Sequence, residues 1–187
     1  MDKIANNSED YIKVGNEKFV PLITEAEIQK RNTELGKKIS VDYKSKMPIL
    51  IGVLNGAFIF LADLIKNIDI KCEVDFFKLS SYGDEKISSG HVKLLKELNA
   101  DITDRHVIVV EDIIDSGLSM KFILEMMSKS QPASLSVASL LVKPDSLKYD
   151  FKIDYIGFEI ADKFVIGYGL DYAQKYRNLR SIYVLSE

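Results

Sequence analysis

The chain has 187 residues, a formal net charge of −3, 47% hydrophobic and 28% charged residues. That balance suits one soluble globular domain with room for a small appended lobe, and it draws the molecule to neither nucleic acid nor an anionic membrane. Cys72 is the single cysteine, which excludes an intramolecular disulfide, and with His91 and His106 it forms no zinc-type spacing.

In chain order, "MDKIANNSEDYIKVG" lacks a cationic leader followed by an apolar core, so no signal peptide and a reduced, cytoplasmic setting are expected. "TEAEIQKRNTELGKKIS" opens with Thr24 and Glu27 in capping-box spacing and puts Ile28, Leu35 and Ile39 on one helical face. The oiliest run, "MPILIGVLNGAFIFLADLI", is about 19 residues long, near spanning length. Pro48, Gly52, Asn55, Gly56 and Asp63 divide it, giving a buried strand over 48–54, a turn, and a helix over 57–68. "CEVDFFKLSSY" reads as another strand, "SYGDEKISSGH" as a mobile loop or hairpin, and "VKLLKEL" as its return strand.

"RHVIVVED" is a second strand buried on both faces, followed by Met120, Ile123, Leu124 and Met127 at helical spacing. "SLSVASLLV" is a third, ended by the breaker "KPDSLKYD"; "DYIGFEI", "KFVIGY" and "SIYVLSE" are short strands. Strand and helix alternate over 48–142, so an α/β fold is expected, with a mostly parallel twisted sheet flanked by helices. The short C-terminal strands and the N-terminal arm suggest a smaller cap. Ligands of such sheets bind beyond the carboxyl ends of the strands, where "NGAF", "EDIIDSGLS" and "KPDS" leave.

The middle loop carries the chemistry. Ser116, Gly117, Leu118 and Ser119 join a strand to a helix start, so their amides and the helix dipole favour an anion, and Gly117 permits close backbone approach. The spacing and lysine of a Walker loop are absent. Glu111 and Asp112 would repel a phosphate held against them but accept hydrogen bonds from vicinal hydroxyls. Together these describe a ribose 5-phosphate site; a solvated acidic strand end beside a capped helix fits the same letters.

"VIVVEDIIDSGLSM" closely resembles the 5-phosphoribosyl-1-pyrophosphate (PRPP) signature of type I phosphoribosyltransferases. "GVLNGAFIFLADL", "LSSYGD", "SLLVKP", "IGFEIADKFVIGYGLDY" and "YRNL" follow the order and spacing of its hypoxanthine-guanine branch over roughly residues 12–187. The resemblance implies a single domain over 1–187, with a core of roughly 40–145 plus the C-terminal strand. The hood would come from the N-terminal arm and roughly 145–180.

It also implies site roles. Glu111 and Asp112 would hold the ribose hydroxyls, Asp115, Ser116, Gly117, Leu118 and Ser119 the 5-phosphate, and Asp115 would be the general base toward the purine imidazole ring. A carboxylate is a weak base, so positioning should outweigh basicity. Leu54, Asn55 and Gly56 match the pyrophosphate loop, which in the family often has a non-proline cis peptide; many members carry Lys or Arg where this chain has Asn55. Arg177 would contact pyrophosphate, and Ser81 and Tyr82 belong to a flexible loop that closes over the reacting centre. Lys143 would donate to the 6-oxo group, Phe164 would stack on the base, Val165 would read its edge, and Ile113 and Asp171 complete the purine set. An ammonium group offers donors only, which suits hypoxanthine or guanine and disfavours adenine. Glu111, Asp112 and Asp171 would serve Mg2+, which uses few protein carboxylates.

The implied activity is purine salvage, giving IMP or GMP and pyrophosphate from PRPP and hypoxanthine or guanine. The alternatives are a PRPP-sensing regulatory protein of the same fold, or a transferase preferring xanthine or adenine. The regulatory reading is disfavoured by Asp115, Lys143 and Phe164, and by the lack of a basic stripe. The expected partners are small-molecule substrates, no nucleic acid and no membrane, within a homodimer or homotetramer whose contact could use helix 57–68.

Overall fold

The computed structural model describes residues 11–81, 92–96 and 98–186. A hairpin of β1 (Ile12–Val14) and β2 (Glu17–Ile23) comes first. Its turn is Gly15–Asn16, with Gly15 at φ +60°, so a two-residue turn joins two short runs. Next, α1 (Glu25–Asp42) starts at the expected capping box: the Thr24 hydroxyl accepts from Glu27 N, and Glu27 reaches back to Thr24 N at 2.8 Å. Ile28, Leu35 and Ile39 are buried on one face together with Asn32, a polar member of the stripe.

β3 (Ile49–Leu54) leads into α2 (Phe58–Ile65), which ends earlier than the apolar pattern suggests. Asn67 N and Ile68 N bond to Leu64 O and Ile65 O in a tightened turn, so the oily letters run past the helix. β4 (Glu73–Ser81) pairs antiparallel with β5 (Val92–Lys96), the return strand expected from "VKLLKEL". The connecting loop, with Tyr82 and His91, lies outside the described residues. β6 (His106–Ile114), α3 (Leu118–Ser128), β7 (Ser134–Val142), a 3-10 turn (Pro144–Ser146), β8 (Tyr155–Glu159), β9 (Val165–Ile166) and β10 (Ile182–Leu185) complete the chain.

The main sheet has the order β5-β4-β3-β6-β7-β8, parallel except for the β5 edge. Its central strands are oily on both faces because each face is covered. Leu50, Ile108, Val110 and Leu140 pack with Ile28, Ile39, Phe60 and Leu64 of α1 and α2. Ile49, Ile51, Val107 and Val109 pack on the other side with Met120, Ile123 and Met127 of α3. Adjacent residues thus serve opposite cores, the period-two signature of a pleated strand.

A second, antiparallel sheet, β1-β2-β10-β9, forms the hood around Val14, Phe19, Ile166 and Leu179. Two expected assignments are corrected here. The segment 155–159, placed in the hood, is a parallel strand of the main sheet, and the C-terminal strand, placed in the core, belongs to the hood between β2 and β9. "KFVIGY" yields a strand of only two residues, since Gly167, Tyr168 and Gly169 all take positive φ and turn the chain away.

Candidate active site

Residues 54–56, 111–119 and 143 leave adjacent carboxyl ends of β3, β6 and β7. Ile114 pairs with Val142, so the next residues, Asp115 and Lys143, emerge side by side. The Lys143 ammonium donates to Asp115 Oδ2 at 2.8 Å and to Asp162 Oδ1 at 3.0 Å. Its side chain is 8% exposed, against 53% and 66% for the two acids, so the ammonium is the buried member. Burial draws the Lys143 pKa down, but the two carboxylates outweigh it and hold it above the ordinary lysine value. The Lys143 partnership in turn holds Asp162 below the usual carboxylate range.

The loop between Asp115 and α3 lines a cavity of about 110 Å³ together with Glu111, Ile113, Ile114 and Met120. Gly117, at φ +81°, is the N-cap of α3, and no side chain caps that helix. A Cβ there would meet the Phe151 ring at 2.8 Å, so both the backbone conformation and the packing call for glycine. Ser116 O accepts from Lys148 N, bracing the loop against the segment after β7. Leu118 N lies 3.5 Å from Ser116 Oγ, and Ser119 is exposed. An uncapped helix start at the rim of a small cavity is an anion site by construction.

The two strand-end acids separate in role. Glu111 lines the cavity, and its Oε2 is buried without a hydrogen-bond partner. Asp112 points to the β3 turn: a Cβ at Gly56 would fall on its carboxylate, whose Oδ1 accepts from Ile113 N at 2.9 Å. Burial, and then the neighbouring Asp112 charge, push Glu111 well above the usual carboxylate range. Burial also raises Asp112, although its bonds to Glu111 and Ile113 N and the nearby Arg177 charge offset part of the rise. Such a pair suits either a diol, which donates, or a cation.

The peptide bond between Leu54 and Asn55 is cis, as the resemblance led us to expect. The Gly56 carbonyl packs so tightly on Gly169 that no side chain fits there, and Gly169 sits at φ +101°. Arg177 closes this hood loop: Nη1 donates to Gly169 O at 2.7 Å and Nη2 pairs with Asp171 Oδ1 at 2.6 Å. Asp171 Oδ2 accepts from Gln174 N at 2.8 Å. Phe164 is 46% exposed, held edge-on by Phe19 and Tyr172 with centroids 6.1 and 5.7 Å away, while Val165 is buried in β9. Ser81 ends β4, and Tyr82 lies outside the described residues.

Three features escaped the sequence reading. Asp162, in "IADKF", looks like a solvated acid until Lys143 is seen beside it. Gly169 carries a signal that went unused, the closely spaced glycines of "GYG". Behind them, the buried Tyr168 hydroxyl donates to Asp63 Oδ2 at 2.6 Å and accepts from Asn32 Nδ2 at 2.9 Å, tying the hood loop to α1 and α2.

Comparison with known proteins agrees with this geometry. The phosphoribosyl transferase domain model matches residues 23–173. The hypoxanthine-guanine phosphoribosyltransferase of Bacillus subtilis is 48% identical over 164 residues, covering 88% of this chain and 91% of that one. A crystal structure of the Bacillus anthracis hypoxanthine-guanine phosphoribosyltransferase superposes with a TM-score of 0.85 at 43% identity, covering 89% of this chain and 98% of the other. The hypoxanthine phosphoribosyltransferase of Trypanosoma cruzi, solved with its product IMP, gives a TM-score of 0.84 at 38% identity, covering 94% and 97%. The chain belongs to the phosphoribosyltransferase family, among the hypoxanthine-guanine phosphoribosyltransferases.

Proposed function

We propose that the protein transfers the 5-phosphoribosyl group of PRPP to hypoxanthine, guanine or both, releasing pyrophosphate and yielding IMP or GMP. The observation that carries this reading is the adjacency of Asp115 and Lys143 at the rim of the uncapped loop. Placed there, a 6-oxopurine meets a donor for its oxygen and an acceptor for its imidazole proton on one edge.

In the reaction the bond from ribose C1′ to pyrophosphate breaks, a bond from C1′ to the purine nitrogen forms, and Asp115 takes the ring proton. Loop amides 115–119 hold the 5-phosphate, while Glu111 and Asp112 accept from the ribose hydroxyls. Residues 54–56 and Arg177 face pyrophosphate; with Asn55 supplying no charge, Arg177 is the cation at this position. Phe164 stacks on the base, the Val165 backbone reads its edge, and Ile113 packs beside it.

The acids fit magnesium. The unpartnered, buried Glu111 Oε2 and the raised pKa values of Glu111 and Asp112 mark a place where positive charge is favoured. Glu111, Asp112 and Asp171 would hold the ion, directly or through its waters, and it would neutralise charge on pyrophosphate. Among the described residues no three acidic, histidine or cysteine side chains are grouped so as to hold a metal ion by themselves.

No described helix is long and apolar enough to cross a membrane, and we place the protein in the cytoplasm. On α2, Phe60, Leu61 and Leu64 face the core while Phe58 is 43% exposed, so this helix offers an apolar contact to a second copy in a homodimer or homotetramer. Sedimentation showing only monomer would refute the assembly. For the chemistry, Asp115→Asn should lower kcat for magnesium-dependent IMP formation about 10²-fold or more while PRPP still binds. Wild-type protein that makes neither IMP nor GMP would overturn the assignment.

A further inference from the structure

The structure assigns Asp162 a positioning role in purine selection: it holds the Lys143 ammonium at the purine edge while Asp115 turns to the base. This rests on the functional reading above. Asp115 and Lys143 bond to each other at 2.8 Å, yet one must also accept from the imidazole ring and the other must also donate to the 6-oxo group. The ammonium has a third N–H for the purine, but a proton that Asp115 takes from the ring removes the Asp115 charge from the pair, so a second carboxylate must hold Lys143.

The Lys143 side chain is 8% exposed, and a buried ammonium that loses its counter-charge is strongly disfavoured. Asp162 meets that need at 3.0 Å. It approaches from the connection between β8 and β9, whereas Asp115 lies on the loop after β6, so one acid can leave while the other stays. The connection that carries Asp162 also carries Phe164 and Val165, so the counter-charge arrives on the segment that reads the base. Without Asp162 the ammonium would lean on Asp115 alone, drawing the donor toward that acid and competing with the ring for the proton acceptor. Because the Asp162 side chain is 66% exposed, its replacement leaves the fold intact.

The test compares full-length wild type, Asp162→Asn and Asp162→Glu in magnesium-dependent turnover with PRPP. For Asp162→Asn, KM for hypoxanthine and guanine should rise roughly tenfold, equivalent to about 1.4 kcal/mol, with KM for PRPP and the melting temperature unchanged. The preference for hypoxanthine over adenine should narrow, because the lost contact acts at position 6 of the ring, and Asp162→Glu should recover most of the purine KM. Three outcomes would overturn the role: an unchanged purine KM in Asp162→Asn, equal losses for purine and PRPP, or a glutamate variant no better than asparagine. Each of these leaves the transferase assignment standing, since wild-type turnover tests that separately.

Discussion

Glu111 should weaken the fold that it serves. Its Oε2 is buried without a partner, and burial followed by the Asp112 charge holds its pKa well above the usual carboxylate range. The sign follows from proton linkage: a carboxyl with a raised folded-state pKa binds more protons folded than unfolded. Its contribution to stability is therefore greatest below the ordinary carboxylate pKa and declines as pH rises through the folded value. Glu111→Gln keeps the shape and removes the charge. At about pH 8, removing one buried charge that burial and the Asp112 carboxylate both disfavour should stabilise the protein by about 1–3 kcal/mol. For a chain of this length each kcal/mol raises Tm by about 2–4 °C. Calorimetry in chelator, without nucleotide, should show the gain at about pH 8 and a smaller one at about pH 5. If Glu111 holds the ion as proposed, magnesium should raise Tm of the wild type more than that of the variant, and turnover should fall. A Glu111→Gln variant no more stable than wild type at the higher pH, or one whose gain grows on acidification, would refute the reasoning.

Gly56→Ala places a methyl group on the Asp112 carboxylate, so it should destabilise by about 1–3 kcal/mol and raise KM for PRPP, which paired melting and kinetic measurements would reveal. Tyr168→Phe removes the hydroxyl between Asn32 and Asp63 and leaves both facing an apolar ring edge; a loss of about 1–3 kcal/mol in urea unfolding is expected. Thr24→Ala removes the hydroxyl that accepts from Glu27 N, leaving only the bond from the backbone N–H of residue 24 to Glu27, and should cost about 1 kcal/mol by the same assay with kcat unaffected, since Thr24 is none of the site residues.

Strands buried on both faces announced themselves. Runs such as Ile49–Ile51 and Val107–Val110 must be oily at every position, since each residue faces one core or the other, and continuous apolar letters are easily read. The loop after β6 was legible for a similar reason: its glycine and its acids are locally constrained. Partner choice was harder. Nothing in Tyr155–Glu159 or Ile182–Leu185 says which sheet each joins, because a short strand carries its period but not the identity of its neighbour. Asp162 was invisible for the same kind of reason. Its role depends on an ammonium 19 residues away in sequence, and no local pattern distinguishes it from a solvated acid.

What positions the site is the joint between hood and sheet rather than either alone. The Gly56 carbonyl packs against Gly169 of the hood loop, and the Gly56 Cα packs against the Asp112 carboxylate of β6. One residue of the β3 turn thus fixes the distance between the acids and the loop that Arg177 closes. Tyr168, next to Gly169, is anchored through Asp63 to α2 and through Asn32 to α1, and Asp63 is further held by Gln29 at 2.8 Å and Lys66 at 2.5 Å. Burial opposes ionisation of Asp63, but its bonds to Lys66, Tyr168 and Gln29 prevail and hold it below the ordinary aspartate value, so the anchor is charged at neutral pH. The Tyr168 hydroxyl thus ties the hood loop to the helices that cover the main sheet. Sequence segments far apart in the chain can then hold base, ribose and pyrophosphate at fixed separations, the condition under which a weak base such as a carboxylate suffices.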